Sequence, residues 1–239
     1  MTMMNEHTAK AFDTDLQELT RKVSEMGGLA EREIADAIQA LTRRDSELAK
    51  RVVASDPTID ALQREIEEKA ILTIARRQPM AVDLREIVAS LRVANDLERI
   101  GDLAKNIGKR VSALEGDFHP TKLIRGVEHM ASMVLNQLKS VLDAYGSRDI
   151  PSALAVWKGD EEIDALCTSL FRELLTYMME DPRNITFCIH LMFCAKNIER
   201  MGDHATNIAE TVHYMVEGHP ITDQRPKGDT TAFAKAAVS

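Results

Sequence analysis

Residues 95–107 read NDLERIGDLAKNI and residues 196–208 read KNIERMGDHATNI. Glu, Arg, Gly, Asp, Ala, Asn and Ile recur in one order, 101 residues apart. A single E-R-x-G-D string on a helix carries little information, but its recurrence identifies a tandem duplication, and a repeat of this length sets the architecture. The repeat reaches outward from the motif. Asp56-Pro-Thr-Ile59-Asp60-Ala61-Leu62 matches Asp160-Glu-Glu-Ile163-Asp164-Ala165-Leu166, now at an offset of 104, as do Asp45 with Asp149 and Met26 with Met130. Two units follow, residues 10–114 and 115–217, each large enough to bury a core.

Hydrophobic residues make up 44% of the chain and aromatics only 4%. Ala, Leu, Ile, Glu, Arg and Met dominate, a balance that favours helices over strands. Apolar residues recur at helical spacing through Leu16, Leu19, Val23, Met26, Ile34, Ile38 and Leu41. A short helix is expected from Ser46, then a new start at Asp56 as N-cap with Pro57 in the first turn. Gln78-Pro79 ends that run, because proline removes a donor and biases its predecessor away from the helix. A long helix is expected from Val82 to Leu114. The second half repeats the plan over 123–145, a short helix from Pro151, 161–179, a break at Asp181-Pro182, and 185–217. The fold class is therefore all-α, a tandem pair of three-helix bundles. Residues 218–239 lack periodicity and read as a disordered tail.

Each proline break should join two antiparallel helices, since short connections make antiparallel neighbours. About Pro79 as pivot, Ile71 faces Ile87, Asp60 faces Glu98 and Asp56 faces Asp102. In the second hairpin Asp164 faces Glu199 and Asp160 faces Asp203. Glu98, Asp102 and Asn106 succeed one another at four-residue steps, about 6 Å each along the axis, and Glu199, Asp203 and Asn207 do the same. Two carboxylates from each helix thus converge in each half, with an amide one turn beyond. Two unit charges 4 Å apart repel by about 1 kcal/mol even in water. Hard cations accept carboxylate and amide oxygens, so a metal site is the reading that offsets this repulsion. The plainer alternative is a solvated acidic face paired with Arg64, Arg99, Lys105 and Arg200.

Composition narrows function further. A net charge of −8 argues against nucleic acid as the main partner. The N-terminal MTMMNEHTAK has no apolar core, and the most apolar stretch, 185–195, is about half the ~20 residues of a spanning helix. Any membrane association is expected to be indirect, through partners. The three cysteines, Cys167, Cys188 and Cys194, show no C-x-x-C spacing and read as buried thiols in a reducing compartment. A soluble, cytoplasmic protein is expected. No Walker-type phosphate loop is present. A carboxylate-bridged metal enzyme of the helical-bundle type needs E-x-x-H on two helices. Only Glu210-x-x-His213 has that spacing, and Lys109 and Ser112 stand at the matching positions. A ligand-free helical scaffold remains the other alternative.

The duplicated [IL]-E-R-x-G-D-x-x-x-N-I, with Ile74-Ala-Arg-Arg-Gln-Pro-Met-Ala-Val-Asp-Leu-Arg85, resembles the PhoU family over about residues 10–217. The resemblance implies two similar three-helix bundles, a cytoplasmic location, frequent homodimers and no enzymatic activity. It further implies negative regulation of phosphate uptake and of the phosphate-starvation response, linking the Pst phosphate ABC transporter to the PhoR sensor kinase. Some members bind multinuclear iron or zinc clusters through paired [ED]-x-x-x-D motifs. Those motifs map here onto Asp56, Asp60, Glu98 and Asp102, then Asp160, Asp164, Glu199 and Asp203. Iron, zinc, manganese or magnesium is the expected cofactor.

Overall fold

In the computed structural model, residues 2–114, 121–223 and 225 are described, with side chains from 12–114 and from 123 onward. The first half comprises α1 (Thr2–Arg43), α2 (Ser46–Arg77) and α3 (Ala81–Ala113). The second comprises α4 (Thr121–Ser147), α5 (Ile150–Lys158), α6 (Asp160–Glu180), a single 3-10 turn (Pro182–Asn184) and α7 (Ile185–Glu217). Among the described residues there is no strand, as helical spacing without alternation dictates.

The turns repeat as faithfully as the motif. Arg44 and Arg148 both take left-handed backbone, with φ of 56° and 58°, and each hands the chain to an aspartate. Asp45 accepts from the Leu48 amide at 2.8 Å, and Asp149 caps α5 by accepting from Ser152. The shared aspartates are thus N-caps, satisfying amide donors that a helix start leaves without partners. Asp45→Ala should lower stability by about 1 kcal/mol, read as a lower urea midpoint; an unchanged midpoint would show the cap to be idle. At the far end of α2, Gln78 turns left-handed at φ 50° and its N–H closes on the Ile74 carbonyl at 3.0 Å. Pro79 then keeps the helix from resuming.

One expected boundary is absent. Asp56-Pro57 starts no helix: α2 runs unbroken from Ser46, with Pro57 in its interior. Proline costs a helix a backbone hydrogen bond, but Val52 and Ile59 on either side are 2% and 1% exposed, so packing holds both segments in line. In the second half the interruption is real, because α5 stops at Lys158 and Gly159 separates it from α6.

Within each half the long helices pack around a shared apolar interior, with Leu19, Met26, Ile34, Ile66 and Leu97 in the first and Leu123, Met130 and Leu138 in the second. The halves join through α3 against α7 and α1 against α4. Arg85 near Gly218, Arg92 over Tyr214, Asp96 beside His204 and Arg110 over Phe193 show that α3 and α7 run antiparallel. That is the relation a pseudo-twofold between the repeats requires. Of the expected disordered tail, residues 224 and 226–239 lie outside the described residues. Ile221 packs against the core and Arg225 is bound to two aspartates, so the chain just past α7 is held to the body. Burial of an apolar side chain and two carboxylates facing one guanidinium supply the reason.

Candidate functional site

The hairpin register brings the acids together in both halves. In the first, α2 carries Asp56 and Asp60 while α3 carries Glu98 and Asp102. Lys105 spans the two helices, donating to Asp56 at 2.7 Å and to Asp102 at 2.5 Å. A Cβ at Gly101 would lie 2.9 Å from Ile59 Cδ1, so the glycine lets α2 approach beside the motif. Burial pushes the Glu98 carboxyl above its usual range, and Asp102 and Asp60 add to the shift. For Lys105 burial works against the charge, yet the bonds to Asp102 and Asp56 outweigh it and hold its pKa above the ordinary lysine value. Arg99 lies 3.5 Å from Glu98 and 3.8 Å from Asp102.

The second centre has the same skeleton with different cations. Thr206, at the position of Lys105, donates to Asp160 at 3.2 Å. The bridging cation is Arg225, whose Nε donates to Asp160 at 2.9 Å and whose Nη2 donates to Asp203 at 2.6 Å. Asp160, Asp164 and Glu199 are 2%, 4% and 6% exposed, more enclosed than a solvated acidic face. Burial raises the Glu199 pKa, opposed by the Lys196 ammonium and reinforced by Asp203 and Asp164. Lys196 donates to Oε1 of Glu199 at 2.7 Å, and Oε2 has no hydrogen-bond partner.

The two asparagines sit elsewhere. Asn106 is exposed, and Asn207 donates to Asp96 at 3.3 Å across the seam between halves, where His204 Nδ1 also meets Asp96 at 2.9 Å. Each four-residue step advances about 400°, so an asparagine two steps beyond the glutamate has rotated well off the face that carries the acids. His204 is thereby accounted for as a seam residue.

One acid on a third helix was not read from the sequence. Glu33 of α1 is 6% exposed, and its Oε2 has no hydrogen-bond partner. Burial pushes its carboxyl up to about 7, against a Ser55 hydrogen bond and with help from Asp56 and Asp60. Its counterpart at the 104-residue offset is Gln137 of α4, whose Oε1 is also buried and unpartnered. A search for identical residues passes over a Glu–Gln pair. The offset shared by Met26 and Met130 would have found it. Arg225 gave no signal, because nothing in an aperiodic stretch marks the end of the chain it binds.

The E-x-x-H pair on α7 has other duties. Glu210 accepts from the Trp157 indole at 3.0 Å and His213 Nδ1 donates to the His219 carbonyl at 3.1 Å. All three cysteines are buried, and burial pushes the Cys194 thiol up to about 12, which keeps it protonated and unreactive. Among the described residues no helix is long and apolar enough to cross a membrane.

Known proteins share this fold. The PhoU domain pattern matches residues 23–111 and 127–212. A "Phosphate-specific transport system accessory protein PhoU homolog" of Rhizobium meliloti (strain 1021) is 59% identical over 230 residues, covering 96% of this chain and 97% of the relative. That of Caulobacter vibrioides (strain NA1000 / CB15N) is 54% identical over 226 residues, covering 95% and 98%. The crystal structure of PhoU from Pseudomonas aeruginosa superposes with a TM-score of 0.81 at 39% identity, over 87% of this chain and 100% of that one. The phosphate transport system regulatory protein PhoU from Streptococcus pneumoniae also gives 0.81, at 27% identity, over 88% and 99%. These relatives are named as accessory and regulatory proteins rather than enzymes. With both repeats matched and relatives more than half identical along nearly its whole length, the chain belongs to the PhoU family.

Proposed function

We propose that this protein is a negative regulator of phosphate uptake and of the phosphate-starvation response, an adaptor between the Pst phosphate ABC transporter and the PhoR sensor kinase at the cytoplasmic face. The observation that carries the reading is near full-length identity to relatives named for the phosphate-specific transport system. Exposed apolar side chains at both hairpin ends support contact with partner proteins. Ile71 is 64% exposed and its repeat partner Leu175 48%, with Met80 and Met179 at 81% and 77%. The apolar mouth expected to close by pairing Ile71 with Ile87 therefore leaves Ile71 outward while Ile87 is fully buried. A homodimer is part of the proposal. Removing the gene from a strain with a phosphate-responsive reporter should switch the reporter on in abundant phosphate. A reporter that stays silent there sinks the adaptor reading and leaves the scaffold.

The acidic centres are proposed to bind iron, zinc, manganese or magnesium. An all-oxygen donor set suits hard cations, and the buried unpartnered oxygens of Glu33 and Glu199 are supporting observations, since such groups are costly without a partner. Among the described residues no three acidic, histidine or cysteine side chains already stand as a metal cage. Lys105 bridges Asp56 and Asp102 and Arg225 bridges Asp160 and Asp203, so binding of a metal there exchanges one cation for another. Asp56, Asp60, Glu98 and Asp102 would hold the ion in the first half, and Asp160, Asp164, Glu199 and Asp203 in the second.

A further inference from the structure

The two centres match in their motif carboxylates and differ in what surrounds them. Glu33 Oε2 would lie 3.4 Å from a Cβ at Gly101, the residue before Asp102. Gln137 Nε2 would lie 2.9 Å from a Cβ at Gly159, the residue before Asp160. The first helix of each half thus sends one polar side chain to a glycine beside a centre aspartate. In the first half that side chain is an acid, with Ser55 at the position of Gly159 and hydrogen-bonded to it. In the second it is a neutral amide. The cations differ as well. Lys105 rides on α3 itself, at the end of a flexible four-carbon stem that can swing to solvent. Arg225 sits on the segment beyond α7 and ties Asp160 to Asp203 through two nitrogens.

We propose that Glu33 is a further oxygen ligand of the first centre and makes it the tighter of the two for a divalent cation, the second being weakened by Gln137 and by the Arg225 guanidinium. The inference rests on the metal reading above. Three features carry it: Glu33 is more than nine-tenths buried, Oε2 is unpartnered, and it stands beside the acidic motif. A charged oxygen binds a hard cation more strongly than an amide oxygen in the same place, since ligand charge count tunes affinity. The guanidinium must leave Asp160 and Asp203 before a cation can use them, so its removal cost is subtracted from binding.

Titration of the full chain with Mn2+, followed by calorimetry and by the electron spin resonance of the free ion, tests this. Two classes of site are expected, and Asp164→Asn should abolish the weaker, marking it as the second centre. Glu33→Gln keeps the shape and removes the charge. It should weaken the tight class about tenfold or more, in the range reported for perturbed metal surroundings, and leave the other alone. Gln137→Glu and Arg225→Gln should each tighten the weaker class. A tight class untouched by Glu33→Gln overturns the assignment, as does equal weakening of both classes, which would mark Glu33 as structural. Two equal classes in the unaltered chain overturn the inequality while sparing the metal reading. Absence of Mn2+ binding in every form, with helix content intact, removes the metal reading and this inference together.

Discussion

Replacing Asp102 and Asp203 together with alanine is expected to reduce metal affinity at both centres by about 100-fold or more while leaving the helices formed. Each change deletes one of four motif carboxylates, and even groups outside the ligand set typically cost 10–100-fold in metal affinity. It also deletes one anchor of the bridging cation, leaving Lys105 on Asp56 and Arg225 on Asp160. The side chains are 33% and 35% exposed and contribute little to the apolar interior, so circular dichroism should be unchanged. Elemental analysis after chelation and reloading reads the effect. Metal content equal to that of the unaltered chain would place the ions elsewhere. The same variant in the reporter strain would show whether regulation depends on the centres.

The second large effect concerns stability of the metal-free chain. The Glu33 carboxyl stands at about 7 instead of 4.5 because burial penalises its charge. A carboxyl raised in the folded state favours folding fully below its unfolded value, and that contribution is lost as pH rises through the folded value. Above pH 7 the fold therefore carries a buried charge that glutamine at this position lacks. A shift of that size corresponds to roughly 3 kcal/mol. Glu33→Gln should then be near neutral at pH 4.5 and stabilising by up to about that amount at pH 8, measured as the difference between the two proteins in chelator. A difference that stays flat with pH would mean Glu33 is solvated or already paired. Added metal should reverse the advantage, because the ion needs the charge that the variant lacks.

Much of this could be read from the chain, for reasons that differ by element. The helices were legible because apolar spacing, aspartate caps and proline breaks act locally, and the start and end of α7 at 185 and 217 follow directly. The convergence of Asp56 with Asp102 and of Asp160 with Asp203 was legible because an antiparallel pair with a known pivot leaves little freedom. Three features resisted. Pro57 reads as a start because its local signal is a start, while the packing of Val52 and Ile59 that overrides it is tertiary. Four-residue spacing puts Asn106 and Asn207 on the face of the acids only to a first approximation, because 40° accumulates at every step. Glu33 and Arg225 come from a third helix and from beyond the last one, and hairpin register says nothing about either.

The antiparallel meeting of α3 and α7 has a consequence for how the chain comes apart. Asp96 and His204 are 108 positions apart, and α3 has neighbours in α1, α2 and α7 at once. Its buried positions, from Ile87 through Leu97 and Leu103 to Val111, wrap the helix instead of lining one stripe. A half released from its twin would bare the side of α3 or α7 that the other half had covered. Duplication has therefore produced one cooperative folding unit from two copies of a sequence, each relying on the other for a wall.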